Sequence, residues 1–218
     1  MFEIFFNSVF VSNMIFSSFL GLCSYFAHSK NIKSAYGLGL AVTTVLTIAT
    51  PINYLIYNFI LKKGALSFIA PNFAEVDLSY LKLIVVIVVI ASVVQVLEIV
   101  IEKRFEQLYN TLGVFLPLIT VNCAILGATL FMFEKRYSVF DSAIYGFSAG
   151  IGWLLAIMIL AFLRKKIRNS DFPEGLSGVA IIFIITGIVA MIFTIFPSLD
   201  FNRKVMNSSL PYLIEGNK

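Results

Sequence analysis

The stretch that most constrains this chain is Val114 to Phe133, VFLPLITVNCAILGATLFMF, an uncharged apolar run carrying Pro117, Asn122, Cys123 and Gly127. A run of about 20 apolar residues has the length of a membrane-spanning helix. An unpaired peptide group is expensive in lipid, so a helix-breaker persists there only where another group repairs the backbone. The breakers therefore mark a site. The other thiol of the chain, Cys23, sits in the first apolar segment beside Gly21 and after Ser17 and Ser18. Thiolates are soft ligands, and a pair of them on irregular backbone at membrane depth suits a metal centre.

Composition puts the rest of the chain in the same class. A hydrophobic content of 59%, charged residues at 13% and a mean hydropathy of +0.93 lie outside the soluble range and predict an integral membrane protein. The net charge of +4 comes from Lys and Arg between the apolar runs, so it reports topology and lipid headgroups, and nucleic-acid binding is excluded as a function class. No Lys or Arg precedes Lys30 and no small-residue cleavage site follows the first apolar stretch, which is therefore expected to be retained rather than removed as a signal peptide. Two cysteines at membrane depth do not form a disulfide framework.

The expected fold is an all-α integral membrane protein with six apolar segments: Phe5 to Ala27, Ala35 to Leu61, Leu81 to Ile101, Leu112 to Phe133, Ala143 to Leu163 and Val179 to Phe196. Short charged linkers join them, apart from the longer Lys62 to Tyr80, and residues 1–218 read as a single membrane domain. Pro51 beside Asn53 predicts a kink in segment two, its freed carbonyls repaired by a threonine such as Thr47 or by a neighbouring helix. Six spans put both termini on one side. Lys and Arg divide evenly between the two faces, and the dense Arg164 to Arg168 cluster tips the reading towards both termini outside.

An internal echo refines this. Ser34-Ala-Tyr-Gly opens segment two and Ser142-Ala-Ile-Tyr-Gly opens segment five, each after a basic linker that follows a cysteine-bearing segment. The pattern predicts a 3+3 inverted repeat, repeat one about 1–105 and repeat two about 106–200, with a short tail 201–218 and a pseudo-two-fold axis in the membrane plane. Cys123 lies about 11 residues into its segment, roughly 16 Å at 1.5 Å per residue and so near the bilayer centre. Cys23 lies about 18 residues into its own, roughly 27 Å, near the far interface of a straight helix. The two thiols meet only if the first helix, like the fourth, is broken near the midplane, around Ser17 to Gly21. Such a break also offers unpaired amides and partial positive charge to an anion such as an iron-sulfur cluster with four thiolates.

Phe19-Leu-Gly-Leu-Cys23, Ser34 to Leu40, Val96-Leu-Glu98, Leu108-Tyr-Asn-Thr-Leu-Gly113, Phe115 to Ala124, Tyr145-Gly-Phe147 and Gly152-Trp153 together resemble the E-type membrane subunits of the sodium-translocating NADH:quinone oxidoreductases, a family shared with the Rnf complexes. The resemblance implies a bacterial inner-membrane protein paired with a homologous six-helix D-type subunit of opposite orientation, and in such a membrane the Lys and Arg reading puts both termini on the periplasmic side. Each of the two is then expected to give two cysteines, here Cys23 and Cys123, to one shared 2Fe-2S cluster within the membrane. It further implies an electron path from NADH through a flavin and a 2Fe-2S centre in an F-type subunit to that cluster, and on through flavins of the C-type and B-type subunits to ubiquinone. Export of Na+ is coupled to the flow, and an A-type subunit completes the complex. No bond-making catalysis is expected of this chain alone.

Plainer readings stand beside these. Free cysteine often merely fills space. Asn122, Gly21 and Gly127 could support the thiolates, or Asn122 could simply bond a neighbouring helix. Glu98 could recruit Na+ or anchor its helix at the headgroups, and the resemblance favours uptake. His28 reads as a solvated linker residue, and Trp153 as an interfacial anchor or packing residue. An inverted-repeat secondary transporter without a metal centre is the alternative function, because broken helices around a midplane site are typical of that class as well.

Overall fold

The computed structural model describes residues 2–61, 81–104, 109, 116–135, 137–167 and 179–195. The Lys62 to Tyr80 linker, most of the linker before the fourth segment and the tail 201–218 lie outside them. The described residues are mostly helical and contain no strand.

In chain order the elements are α1 (Phe2–Val11), α2 (Leu22–His28), α3 (Ile32–Ile56, running into a π turn over Tyr57–Leu61), α4 (Lys82–Arg104), α5 (Leu116–Thr120), α6 (Cys123–Glu134), α7 (Val139–Ile167) and α8 (Val179–Ile195). Four stretches among the described residues are long and apolar enough to cross a bilayer: Ile32–Phe59, Lys82–Arg104, Pro117–Glu134 and Val139–Ile167. The first apolar segment is divided into α1 and α2, and α8 is shorter than a full span by this measure.

At the centre α3 and α7 lie antiparallel against each other, as three contacts show. Gly39 faces Leu154, Gly150 faces Thr43, and Gly146 faces Thr50 and Leu46, so positions rise along one helix as they fall along the other. Small residues allow this approach, which is how helices associate where no hydrophobic effect separates protein from solvent. Thr50 Oγ1 donates to Leu46 O at 2.8 Å and to Ser142 O at 3.0 Å, tying the two helices through a buried hydroxyl. A methyl group on Gly150 would lie 2.6 Å from Thr43 Cα, a backbone atom that cannot swing aside. Gly150→Ala is therefore expected to cost about 1–3 kcal/mol of overpacking. The check is a lower thermal midpoint of the detergent-solubilised protein.

Pro51 lies inside α3, which continues as helix through it. The expected repair by Thr47 is not what forms, since the Thr47 hydroxyl donates to Thr43 O at 2.7 Å. On α4 the buried residues Val86, Ile90, Val94 and Ile101 make one stripe, while Leu83, Ile84, Val88 and Val96 face outward. A helix apolar on both sides suits lipid or a neighbouring protein.

The first segment is held from behind by α8. Phe193 packs on Phe16 with ring centroids 4.5 Å apart, and Phe183 packs on Phe26 at 4.6 Å. Met14, Ile15 and Phe16, in the non-helical stretch between α1 and α2, are among the most buried side chains of the protein. The first part of that stretch is thus packed in the core, while Phe19 further along it is exposed.

Candidate metal centre

Two breaks in the helices build the site. The first lies between α1 and α2, where Asn13 Oδ1 accepts the Ile15 amide at 3.0 Å and the Asn13 amide nitrogen donates to Val9 O at 3.0 Å and Gly152 O at 2.9 Å. Leu20 N then bonds Met14 O at 2.9 Å, and Gly21 closes the stretch in the left-handed region with φ 83°. The second break lies between α5 and α6. There Asn122 is extended, and its Oδ1 accepts the Ala124 amide at 3.0 Å, capping α6 so that Cys123 becomes its first residue. Capping is a role that the sequence pattern did not assign to Asn122. Pro117 sits harmlessly in the first turn of α5.

The breaks meet at a hydrogen bond to sulfur. The Gly21 amide donates to Cys123 Sγ at 2.9 Å, joining positions far apart in the chain. Cys23 follows two residues later in the first turn of α2, exposed, while Cys123 is half-buried. Asn122 Nδ2 donates to Ser24 Oγ at 3.1 Å, and Ser24 Oγ donates to Gly21 O at 3.2 Å, so the residue beside each thiol is bonded to the residue beside the other. The α6 N-terminus adds partial positive charge at Cys123.

Gly127, one turn into α6, admits the Leu20 side chain where a methyl group would strike it, so its contribution is to seat the loop rather than to touch sulfur. Glu98 is half-buried on α4, and no bond among the described residues links it to the thiols. His28 corrects the solvated reading: it is buried, with 4% of its surface exposed, and its Nδ1 lies 3.0 Å from Ser24 O. Arg164 is likewise more than a headgroup charge. Its guanidinium donates to Phe26 O at 3.0 Å and Ser29 Oγ at 2.6 Å, capping the C-terminal end of α2 with the sign the helix dipole favours. Ser24, Asn13 and Arg164 carry no local signal as site residues in the sequence, because each acts through a partner at long range.

Among the described residues no three or more His, Cys, Asp or Glu side chains gather as a ligand set. The chain offers two thiols with a ready amide donor, which is half of what a four-thiolate centre takes.

The model of a family described as the Rnf-Nqr subunit, membrane protein, matches residues 1–200. This chain belongs to the Rnf-Nqr membrane-subunit family. Relatives named as the E subunit of a Na(+)-translocating NADH-quinone reductase include one from Hahella chejuensis, 52% identical over 195 residues, covering 89% of this chain and 95% of the relative. Another, from Maridesulfovibrio salexigens, is 48% identical over 198 residues, covering 91% and 97%. A third, from Marinobacter nauticus, is 51% identical over 195 residues, covering 89% and 95%. Within an Rnf-Nqr membrane protein, then, the geometry around Gly21 and Cys123 is the feature that most needs a functional account.

Asn122 is the joint between the two breaks of this Rnf-Nqr chain, and Asn122→Ala removes both the α6 cap and the link to Ser24. Loss of such a cap is expected to cost about 0.5–2 kcal/mol. Thermal denaturation in detergent should show it as a lower midpoint, with Asn122→Asp, which keeps the capping oxygen, falling less.

Proposed function

We propose that this chain is an electron-carrying membrane component of a sodium-translocating NADH-quinone reductase, with Cys23 and Cys123 holding one side of a 2Fe-2S cluster whose other two ligands come from the homologous D-type subunit. The observation that carries this reading is the Gly21 amide bond to Cys123 Sγ, which gathers both cysteine-bearing segments at one place and gives a sulfur ligand a hydrogen-bond donor. The fit of the residues to the group supports it. The thiols lie towards the outside of this chain, Cys23 exposed and Cys123 half-buried, where a second protein can complete the set. The cluster would supply reversible one-electron transfer, and its potential depends on hydrogen bonds to sulfur and on burial.

The residues of this chain have the task of holding and screening. Asn122 and Gly21 fix where the two sulfurs start, Ser24 keeps their neighbours in register, and Arg164 holds α2 from its far end. Electron flow from NADH through flavins towards ubiquinone, and its coupling to Na+ export with Glu98 on the uptake side, belong to the same proposal, as do the A-, B-, C- and F-type subunits as companions in a bacterial inner membrane.

A 3+3 inverted repeat is part of this reading. The same separation in sequence divides Asn13 from Asn122, Tyr36 from Tyr145 and Gly37 from Gly146. Both asparagines accept an amide two residues onward, and α3 and α7 run antiparallel, as opposed repeats require. Cys23 lies in the first turn of α2 and Cys123 in the first turn of α6, the second half of each broken helix.

Iron and acid-labile sulfide analysis with low-temperature paramagnetic resonance on the purified complex tests the proposal. The expected result is a 2Fe-2S signal in addition to that of the F-type subunit. A complex whose iron is fully accounted for by the F-type centre overturns it and favours the metal-free permease.

A further inference from the structure

The side chain that backs the thiol site is Trp153 on α7. It is fully buried, with 0% of its surface exposed, and a methyl group placed on Gly21 would lie 2.7 Å from its Nε1. Ala124 Cβ at 2.9 Å and Asn122 Oδ1 at 3.1 Å complete the walls around that point. The indole nitrogen thus lies close against Gly21, whose amide bonds Cys123 Sγ. The preceding residue, Gly152, accepts the Asn13 amide at 2.9 Å, so a single turn of α7 fixes both ends of the stretch from Asn13 to Gly21.

A second observation concerns the N–H itself. Trp153 Nε1 is buried and has no hydrogen-bond partner among the described residues. Buried polar groups are overwhelmingly satisfied, so an orphan donor marks a place where something outside the described protein atoms accepts. If packing alone were needed, a phenyl ring would fill the space without that penalty.

Resting on the cluster reading above, we infer that Trp153 is a positioning residue for the thiolate pair: it holds Gly21 in place and points an indole N–H towards the sulfur-held centre. Its action on Cys123 runs through Gly21, and the N–H supplies a further donor to the polar cradle formed by Gly21 and Asn122. Donors near sulfur raise the potential of an iron-sulfur centre.

The test is a redox titration of the purified complex, followed by paramagnetic resonance, for wild type, Trp153→Phe and Trp153→Leu, with iron measured on the same samples. Trp153→Phe keeps a ring and loses the N–H. It is expected to favour the oxidised form about tenfold, a fall of about 59 mV for a one-electron couple, at unchanged iron. Trp153→Leu, which also removes the backstop, is expected to fall further and to broaden the signal. Wild-type potential and line shape in both variants overturn the inference. Should neither variant assemble, hydrogen exchange at the Gly21 amide in the wild-type complex decides: protection equal to that of α7 supports it, and free exchange overturns it. A resonance that survives loss of both thiols would instead defeat the cluster reading, and the exchange measurement, which needs no iron, keeps the two failures apart.

Discussion

Cys123→Ser in the assembled complex is expected to remove the signal of the proposed intramembrane 2Fe-2S cluster and to lower NADH-quinone reductase activity by at least about 100-fold, beyond the range seen when an outer-shell partner of a metal is lost. The substitution is a clean one for a structural reason. Cys123 is the first residue of α6, half-buried, and accepts the Gly21 amide at 2.9 Å. A serine oxygen can accept the same amide, so the loop keeps its bond and the yield of complex is expected to hold. An alcohol, however, is far less acidic than a thiol and a poor ligand for iron. Cys23→Ser should behave alike, because Cys23 is exposed and serine is nearly its size. Metal analysis and activity on the same preparations check both. Wild-type iron in either variant would mean that the thiols are fillers.

Gly21→Ala is expected to have the second-largest effect, for reasons of conformation and space together. At φ 83° Gly21 occupies the left-handed region, which costs an L-residue roughly 1–2 kcal/mol. The added methyl group would also meet Trp153 Nε1 at 2.7 Å and Ala124 Cβ at 2.9 Å. Both neighbours are fully buried and cannot withdraw. Overpacking of that kind adds about 1–3 kcal/mol. The backbone must move, and the amide that moves is the one bonded to Cys123 Sγ. Complex that still assembles should carry substoichiometric iron and melt earlier. Gly127→Ala is the control, since its methyl group meets only the flexible end of Leu20, and the loss there should be much smaller.

The site was legible in part because helix-breakers in lipid are conspicuous. Gly21, Asn122 and Cys123 stand out in uncharged runs, and counting residues along a helix already required the first segment to break if Cys23 was to meet Cys123. The structure places that break between α1 and α2 and makes Asn122 the cap of α6. What composition could not reveal was the set of contacts made across the bundle. Ser24 looks like any serine until Asn122 Nδ2 reaches it, and Trp153 looks like a residue for a membrane interface until it is found against Gly21. His28 and Arg164 mislead for the same reason: charge and sequence neighbours suggest exposure, while the fold buries His28 and directs Arg164 to the end of α2.

The sequence by itself determined that this is a multi-helix membrane protein and which residues are candidates for its chemistry, because hydropathy, breaker residues and thiols act locally and need no partner to be recognised. Only the tertiary structure decided how α3 and α7 close against each other, which residues lie behind the thiols, and that the amide of Gly21 meets the sulfur of Cys123. Those are long-range contacts. They follow from packing and from the need to satisfy backbone groups in a medium without water, and no local pattern encodes them.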